Sequence, residues 1–285
     1  MRTELQLKTP IDDATFAVIR EIGHAAAALG HNALLVGATA RIILVEHVFG
    51  LPAGRATRDV DFAFAIDTWD QFDALRQRLI GQHQFQADAH TLHKLYYRPT
   101  AAPHAIPVDL VPFGTLGGER EEIRWPPDMA IVMNVAGFAD ALASAVSVEI
   151  GAGVSVAIAS LPAIAVLKLF AWRDRRRGTH KDATDLTALM LLYHDIDQER
   201  VYTVPEEVLE DVDFDIELGG VWLLGNDARK LSLAPTTEKL TAMLADTAQT
   251  DALISDMARA LLTKADPDGH AARLLGQFKA GFGVQ

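Results

Sequence analysis

No cysteine occurs in the 285 residues. That excludes disulfides and thiolate metal sites, leaving carboxylates and imidazoles as the side-chain metal ligands. Basic residues are in deficit, 26 Lys and Arg against 38 Asp and Glu, for a net charge of −12. So acidic a chain lacks the broad positive surface behind non-specific adhesion to nucleic acid, and a polyanion would have to meet a local cluster. The available cluster is RDRRR, Arg173 to Arg177. Long apolar runs are missing too, none reaching the ~20 residues of a membrane span. The stretch MRTELQLKTPIDDATF has neither the apolar block nor the cleavage site of a signal peptide, so the expectation is a cytoplasmic protein with no membrane partner. Neither a Walker A pattern nor a G-x-S-x-G elbow is present, which argues against a P-loop ATPase and an α/β-hydrolase.

What is present is enough apolar sequence for a real core: 49% hydrophobic against 22% charged, in one large domain or two smaller ones. IDDATFAVIREIGHAAAALG carries acidic start signals, helical spacing and a glycine stop. NALLVG predicts a strand, ATARIILVEHVFG a helix, DVDFAFAI a strand, and DTWDQFDALRQRLI a helix capped by Asp67 or Thr68. TLHKLYYR and AIPVDLVPF read as strands about a proline-rich turn, and SVEIGAGVSVAIAS as a hairpin. LPAIAVLKLFAWRDRRR and HKDATDLTALMLLYH form a helix pair. Helical patterns continue to the end, with breaks expected near DVDFDIELGG and KADPDG. The reading is an α/β (α+β) fold with a mixed sheet flanked by helices over 1–160, then a helical part over 161–285.

Asp59 and Asp61 sit two apart in a predicted strand, so their carboxylates share a face. Spacing alone decides little, because DVDFDIEL offers the same pattern at Asp211, Asp213 and Asp215 and reads as a solvated edge or loop. Context separates them. Upstream, LLVGATAR is a strand, a glycine turn and a hydroxyl residue at a helix start, an arrangement that lets backbone N–H groups meet a phosphate. Downstream, Asp109 stands alone in the apolar strand IPVDLVPF, where a carboxylate is costly to bury unless paired or metal-bound. If the three strands are neighbours, Asp59, Asp61 and Asp109 converge, and a divalent ion with oxygen ligands relieves their repulsion. Otherwise Gly37 merely turns the chain and Asp109 pairs with an arginine such as Arg98.

The combination resembles the DNA polymerase β-like nucleotidyltransferases, and within them the AbiEii/AbiGii toxin family, which includes MenT-type toxins. The likeness rests on GATAR (37–41), RATRDVDF (55–62), VDLVPF (108–113) and LKLFAWRDRRRGTHKDATDL (167–186), and covers about 34–192. It implies transfer of NMP from an NTP to a hydroxyl, with Asp59, Asp61 and Asp109 as catalytic residues holding Mg²⁺, two ions, with Mn²⁺ as the alternative. It implies nucleotide contacts from Gly37, Ala38, Thr39, Arg41 and Lys168, with Asp182 and Asp185 positioning Lys168, the nucleotide or the acceptor. Asp182 and Asp185 lie i and i+3 on a helix and can face the same way. Taken alone, they read as surface ion-pair partners of the preceding arginines. Ala38 departs from the family, which has Gly or Ser there, so a phosphate hydrogen bond at this turn falls to main chain or Thr39.

MenT-like relatives modify tRNA 3′ ends, which implies tRNA as acceptor at Arg173 to Arg177 and a cognate antitoxin as partner. Small-molecule or protein acceptors, and a non-catalytic nucleotide-binding protein of the same fold, are the alternatives. His83, His90, His93 and His104 have spacings that match no usual zinc pattern. Trp69, Trp125, Trp172 and Trp222 are scattered and read as core or interface.

Overall fold

A computed structural model describes residues 4–99 and 104–284. They fall into two compact units, Met1–Ser160 and Leu161–Gln285. The first unit runs β1 (Leu5–Gln6), α1 (Asp13–Ala27), β2 (Ala33–Val36), α2 (Gly37–Ile42), a π-helical continuation (Ile43–Phe49), β3 (Val60–Ala65) and α3 (Trp69–Ile80). It continues with β4 (Phe85–Ala87), β5 (Lys94–Tyr97), β6 (Ile106–Phe113), β7 (Glu122–Arg124), β8 (Val132–Asn134), α4 (Phe138–Ala143), β9 (Val146–Gly151) and β10 (Val154–Ile158). The proline-rich turn expected between β5 and β6 falls partly on 100–103, outside the described residues.

Among the described residues, eight strands form one mixed sheet in the order β1-β9-β10-β2-β3-β6-β5-β4. β2 and β3 are antiparallel, β3 and β6 parallel, and β6 and β5 antiparallel. The three strands carrying the glycine turn, the aspartate pair and the lone aspartate are therefore adjacent. The expected hairpin is β9–β10. α1 starts where Asp12 accepts hydrogen bonds from the amides of Ala14 and Thr15, and Thr68 caps α3 by accepting from the Gln71 amide. In β3, Val60, Phe62 and Phe64 are buried on one face and Ala63 on the other, so the strand is covered on both sides. Burying each phenylalanine stabilises the fold by about 1.5–3 kcal/mol.

The second unit is helical: α5 (Leu161–Arg175), α6 (Lys181–Ile196), α7 (Gln198–Val201), α8 (Glu206–Glu210), α9 (Ile216–Leu231), α10 (Ala234–Ala245), α11 (Thr247–Ala258) and α12 (Pro267–Phe282). The pair expected across Gly178 is α5 and α6. The break near DVDFDIELGG is shorter than expected: only 211–214 form a turn, Asp215 caps α9 by accepting from the Leu218 amide (3.2 Å), and both glycines lie within that helix. The physical reason is close packing. A Cβ on Gly220 would lie 2.6 Å from the Cβ of His194, one on Gly225 2.2 Å from the Phe278 carbonyl oxygen, and one on Gly281 2.0 Å from that of Trp222. Glycine costs a helix roughly 1 kcal/mol against alanine, and here it lets α9 approach α6 and α12 to backbone contact. Trp172 is fully buried and its indole N–H donates to Asp256 at 2.9 Å, a core role as its sequence context implied.

Candidate active site

Register builds the centre of the first unit. Val36, the last residue of β2, pairs with Asp61; Asp61 pairs with Asp109; and Asp109 pairs with Lys94. Side chains at paired positions of neighbouring strands leave the same face, so Asp61, Asp109 and Lys94 form a row across β3, β6 and β5. Gly37 follows Val36 with φ of +72° and opens α2. A Cβ there would stand 2.1 Å from Asp61 Oδ2, so two constraints demand glycine: the left-handed backbone and the approach of the carboxylate.

Asp59 lies just ahead of β3 and shares its parity with Asp61. Its Oδ1 accepts a hydrogen bond from the Thr57 hydroxyl, and its carbonyl accepts one from the Thr39 hydroxyl at 2.7 Å. Thr39 thus ties the first turn of α2 to the aspartate pair, and its hydroxyl is engaged there rather than turned to a ligand. Ala38 is half-buried between Gly37 and Thr39. Arg41 sits differently from the expected phosphate contact. It is 2% exposed, and its guanidinium donates to the carbonyls of Ala53 and Arg55 (3.1 Å for the latter). It fastens the loop leading into the aspartates to α2. Burying a guanidinium is costly unless its donors are engaged, and these two loop carbonyls take up N–H groups of both terminal nitrogens.

Lys94 was not anticipated. Its Nζ lies 3.3 Å from Asp109 Oδ1 with both side chains partly buried, whereas Arg98, the partner considered from sequence, donates to Gln86 at 3.0 Å. Burial opposes the Lys94 charge, but Asp109, and more distantly Asp59, outweigh it and hold its pKa above the ordinary 10.5. His93, next along, packs at a tilt against Trp125 with ring centroids 4.7 Å apart, and burial lowers its pKa below 6.5 against the opposing pull of Asp109. The signal for Lys94 was in the sequence as a charge in the strand pattern HKLYYR, but only the β5–β6 register assigns its partner.

In the second unit, Lys168 on α5 donates to Asp182 (3.1 Å) and Asp185 (2.6 Å) on α6, and Arg175 makes two 2.9 Å bonds to Asp182. Asp182 and Asp185 are 1% and 6% exposed and Lys168 is largely buried with them, while the Arg175 side chain is 61% exposed, so two buried carboxylates meet one buried and one surface cation. Removing Lys168 leaves the two buried carboxylates short of a counter-charge, at a cost of about 3–5 kcal/mol. The arginine cluster is partly engaged as well. Arg173 lies over Phe170 (5.2 Å), Arg176 over Trp172 (5.3 Å), and Arg175 is bound to Asp182.

Among the described residues no group of three His, Asp or Glu side chains is arranged to hold a metal ion. The donor set nevertheless suits a hard divalent cation. Asp61 and Asp109 are paired carboxylates, and the buried Oδ1 of Asp109 makes no hydrogen bond, its ion pair with Lys94 lacking that geometry. Asp59 would join them through the oxygens at the end of its side chain.

A search of curated proteins finds no match. Among solved structures, the solution structure of the antibiotic-resistance factor ANT(2'')-Ia is similar at 15% identity with a TM-score of 0.38, covering 71% of this chain and 95% of that one. The family model described as nucleotidyl transferase AbiEii toxin, Type IV TA system, matches residues 23–268, which include the glycine turn, the three aspartates, Lys94 and the Lys168 network. With that match spanning most of its length, the chain belongs to the AbiEii toxin family and is an enzyme of the nucleotidyltransferase type.

Proposed function

We propose that the protein transfers NMP from an NTP to the 3′ hydroxyl of a tRNA, and that it is the toxin of a pair with a cognate antitoxin. The observation that carries this reading is the alignment of Asp61 with Asp109 beside a glycine whose missing Cβ makes room for the Asp61 carboxylate. In the reaction the acceptor oxygen attacks the α-phosphorus, the bond to the β-phosphate oxygen breaks, and pyrophosphate leaves. A divalent ion, Mg²⁺ or Mn²⁺, held by Asp59, Asp61 and Asp109 would neutralise the triphosphate and lower the pKa of the acceptor hydroxyl. Asp109 accepts the acceptor's proton. Gly37, Ala38 and Thr39 offer main-chain amides to the phosphates at the start of α2. Arg41 acts at one remove, by holding the loop that carries Asp59. Lys168, held by Asp182 and Asp185, is the nucleotide contact that the family resemblance implies for the second unit. Arg173, Arg176 and Arg177 serve the phosphates of the RNA, on an otherwise acidic chain.

The test is incubation with each labelled NTP, Mg²⁺ and whole-cell RNA, followed by identification of the labelled species. Label on tRNA, abolished by Asp61→Ala, is expected. Label on a small molecule or a protein would replace the acceptor, and no label from any NTP would overturn the reading.

A further inference from the structure

We propose that Lys94 is a built-in counter-ion of the aspartate pair, occupying the cation position against Asp109 and thereby setting how tightly a divalent ion binds. The inference rests on the metal reading above and deepens it. Three observations carry it. The register places Lys94 directly beside Asp109, which is directly beside Asp61, so the ammonium and two carboxylates share one row of the sheet. The contact is made to Oδ1 of Asp109, the buried oxygen that makes no hydrogen bond and that an ion would otherwise take. Lys94 is itself partly buried, in β5, with its Nζ 3.3 Å from that oxygen, so its ammonium is held at Asp109 rather than dispersed in solvent.

Two consequences follow from charge alone. Without a metal, the lysine relieves the repulsion between carboxylates that the fold forces together. When a divalent ion binds, it must displace or repel a cation already there, so its affinity is lower than the three aspartates would otherwise give. Lys94 is in this sense a positioning residue: it fixes the Asp109 carboxylate and tunes what binds to it.

The experiment is Mn²⁺ titration of the full chain without nucleotide, with free Mn²⁺ read by electron paramagnetic resonance. It compares wild type, Lys94→Met, Lys94→Arg and Asp109→Asn, together with the Lys94→Met/Asp109→Asn double variant. Lys94→Met should bind Mn²⁺ about threefold to tenfold more tightly than wild type, the scale expected of a partly exposed ion pair. Lys94→Arg should stay near wild type, and the gain should vanish in the Asp109→Asn background. Unchanged or weaker binding by a natively folded Lys94→Met protein, checked by circular dichroism, would overturn the proposal. Metal-free thermal unfolding supplies a readout independent of Mn²⁺: Lys94→Met should lower the midpoint, and Asp109→Asn should restore part of the loss. If no variant binds Mn²⁺, the metal reading fails; if the thermal effects of positions 94 and 109 are independent, the counter-ion fails. The two failures are thus distinguishable.

Discussion

Gly37 and Gly30 share a φ of +72°, but a Cβ at Gly30 would meet nothing within 4 Å, while one at Gly37 would lie 2.1 Å from Asp61 Oδ2. The pair therefore separates two costs that usually arrive together. Gly30→Ala bears only the left-handed backbone, about 1–2 kcal/mol. Gly37→Ala bears the same cost plus the overlap, and overpacking adds about 1–3 kcal/mol more. Relief requires Asp61 to swing away from Asp109, and a displacement on the order of 1 Å at a reacting centre costs about 100-fold in rate. Urea unfolding followed by far-UV circular dichroism should rank wild type above Gly30→Ala and Gly30→Ala above Gly37→Ala. Pyrophosphate release should remain near wild type in Gly30→Ala and fall at least about 100-fold in Gly37→Ala. A Gly37→Ala protein as stable and as active as Gly30→Ala would refute the argument that this glycine exists to admit the carboxylate.

In the helical unit, Gly281→Ala should destabilise by about 3 kcal/mol or more, because the added methyl meets the Trp222 backbone at 2.0 Å, where no rotamer change helps. Gly276→Ala, on the same helix with nothing within 4 Å, should be neutral or stabilise by up to about 1 kcal/mol, and equal unfolding free energies for the two would count against backbone-contact packing. For His93, burial depresses the folded pKa below 6.5, so the unfolded chain takes up the proton more readily. Its contribution to stability is therefore complete above about pH 6.5 and is lost as pH falls below it. His93→Gln should flatten the stability–pH slope on the acid side of pH 6.5, and identical slopes in urea titrations at several pH values would exclude the effect.

Much of the site can be read from the chain because its signals are local. Gly37 follows an apolar strand, Asp59 and Asp61 share strand parity, and Asp109 is an isolated charge among apolar residues. Each violates what burial alone would select, and such violations stand out in one dimension. What sequence could not supply were partnerships set by register or by distant backbone. Lys94 finds Asp109 only because β5 folds back on β6, and Arg41 is spent on carbonyls of a loop whose path no side-chain pattern encodes. The expected break extends over Gly219 and Gly220 for a related reason. Locally they weaken a helix, and their benefit lies in a neighbouring helix that the sequence does not place beside them.

The parallel pairing of β3 with β6 has a consequence for the life of the polypeptide. Two parallel strands cannot be joined by a tight turn, so the chain must complete a long crossover, including α3, β4 and β5, before Asp61 meets Asp109. A nascent chain whose β6 is still inside the ribosome carries the aspartate pair but not its partner. The row of aspartates is therefore complete only once most of the first unit has been synthesised and threaded into place.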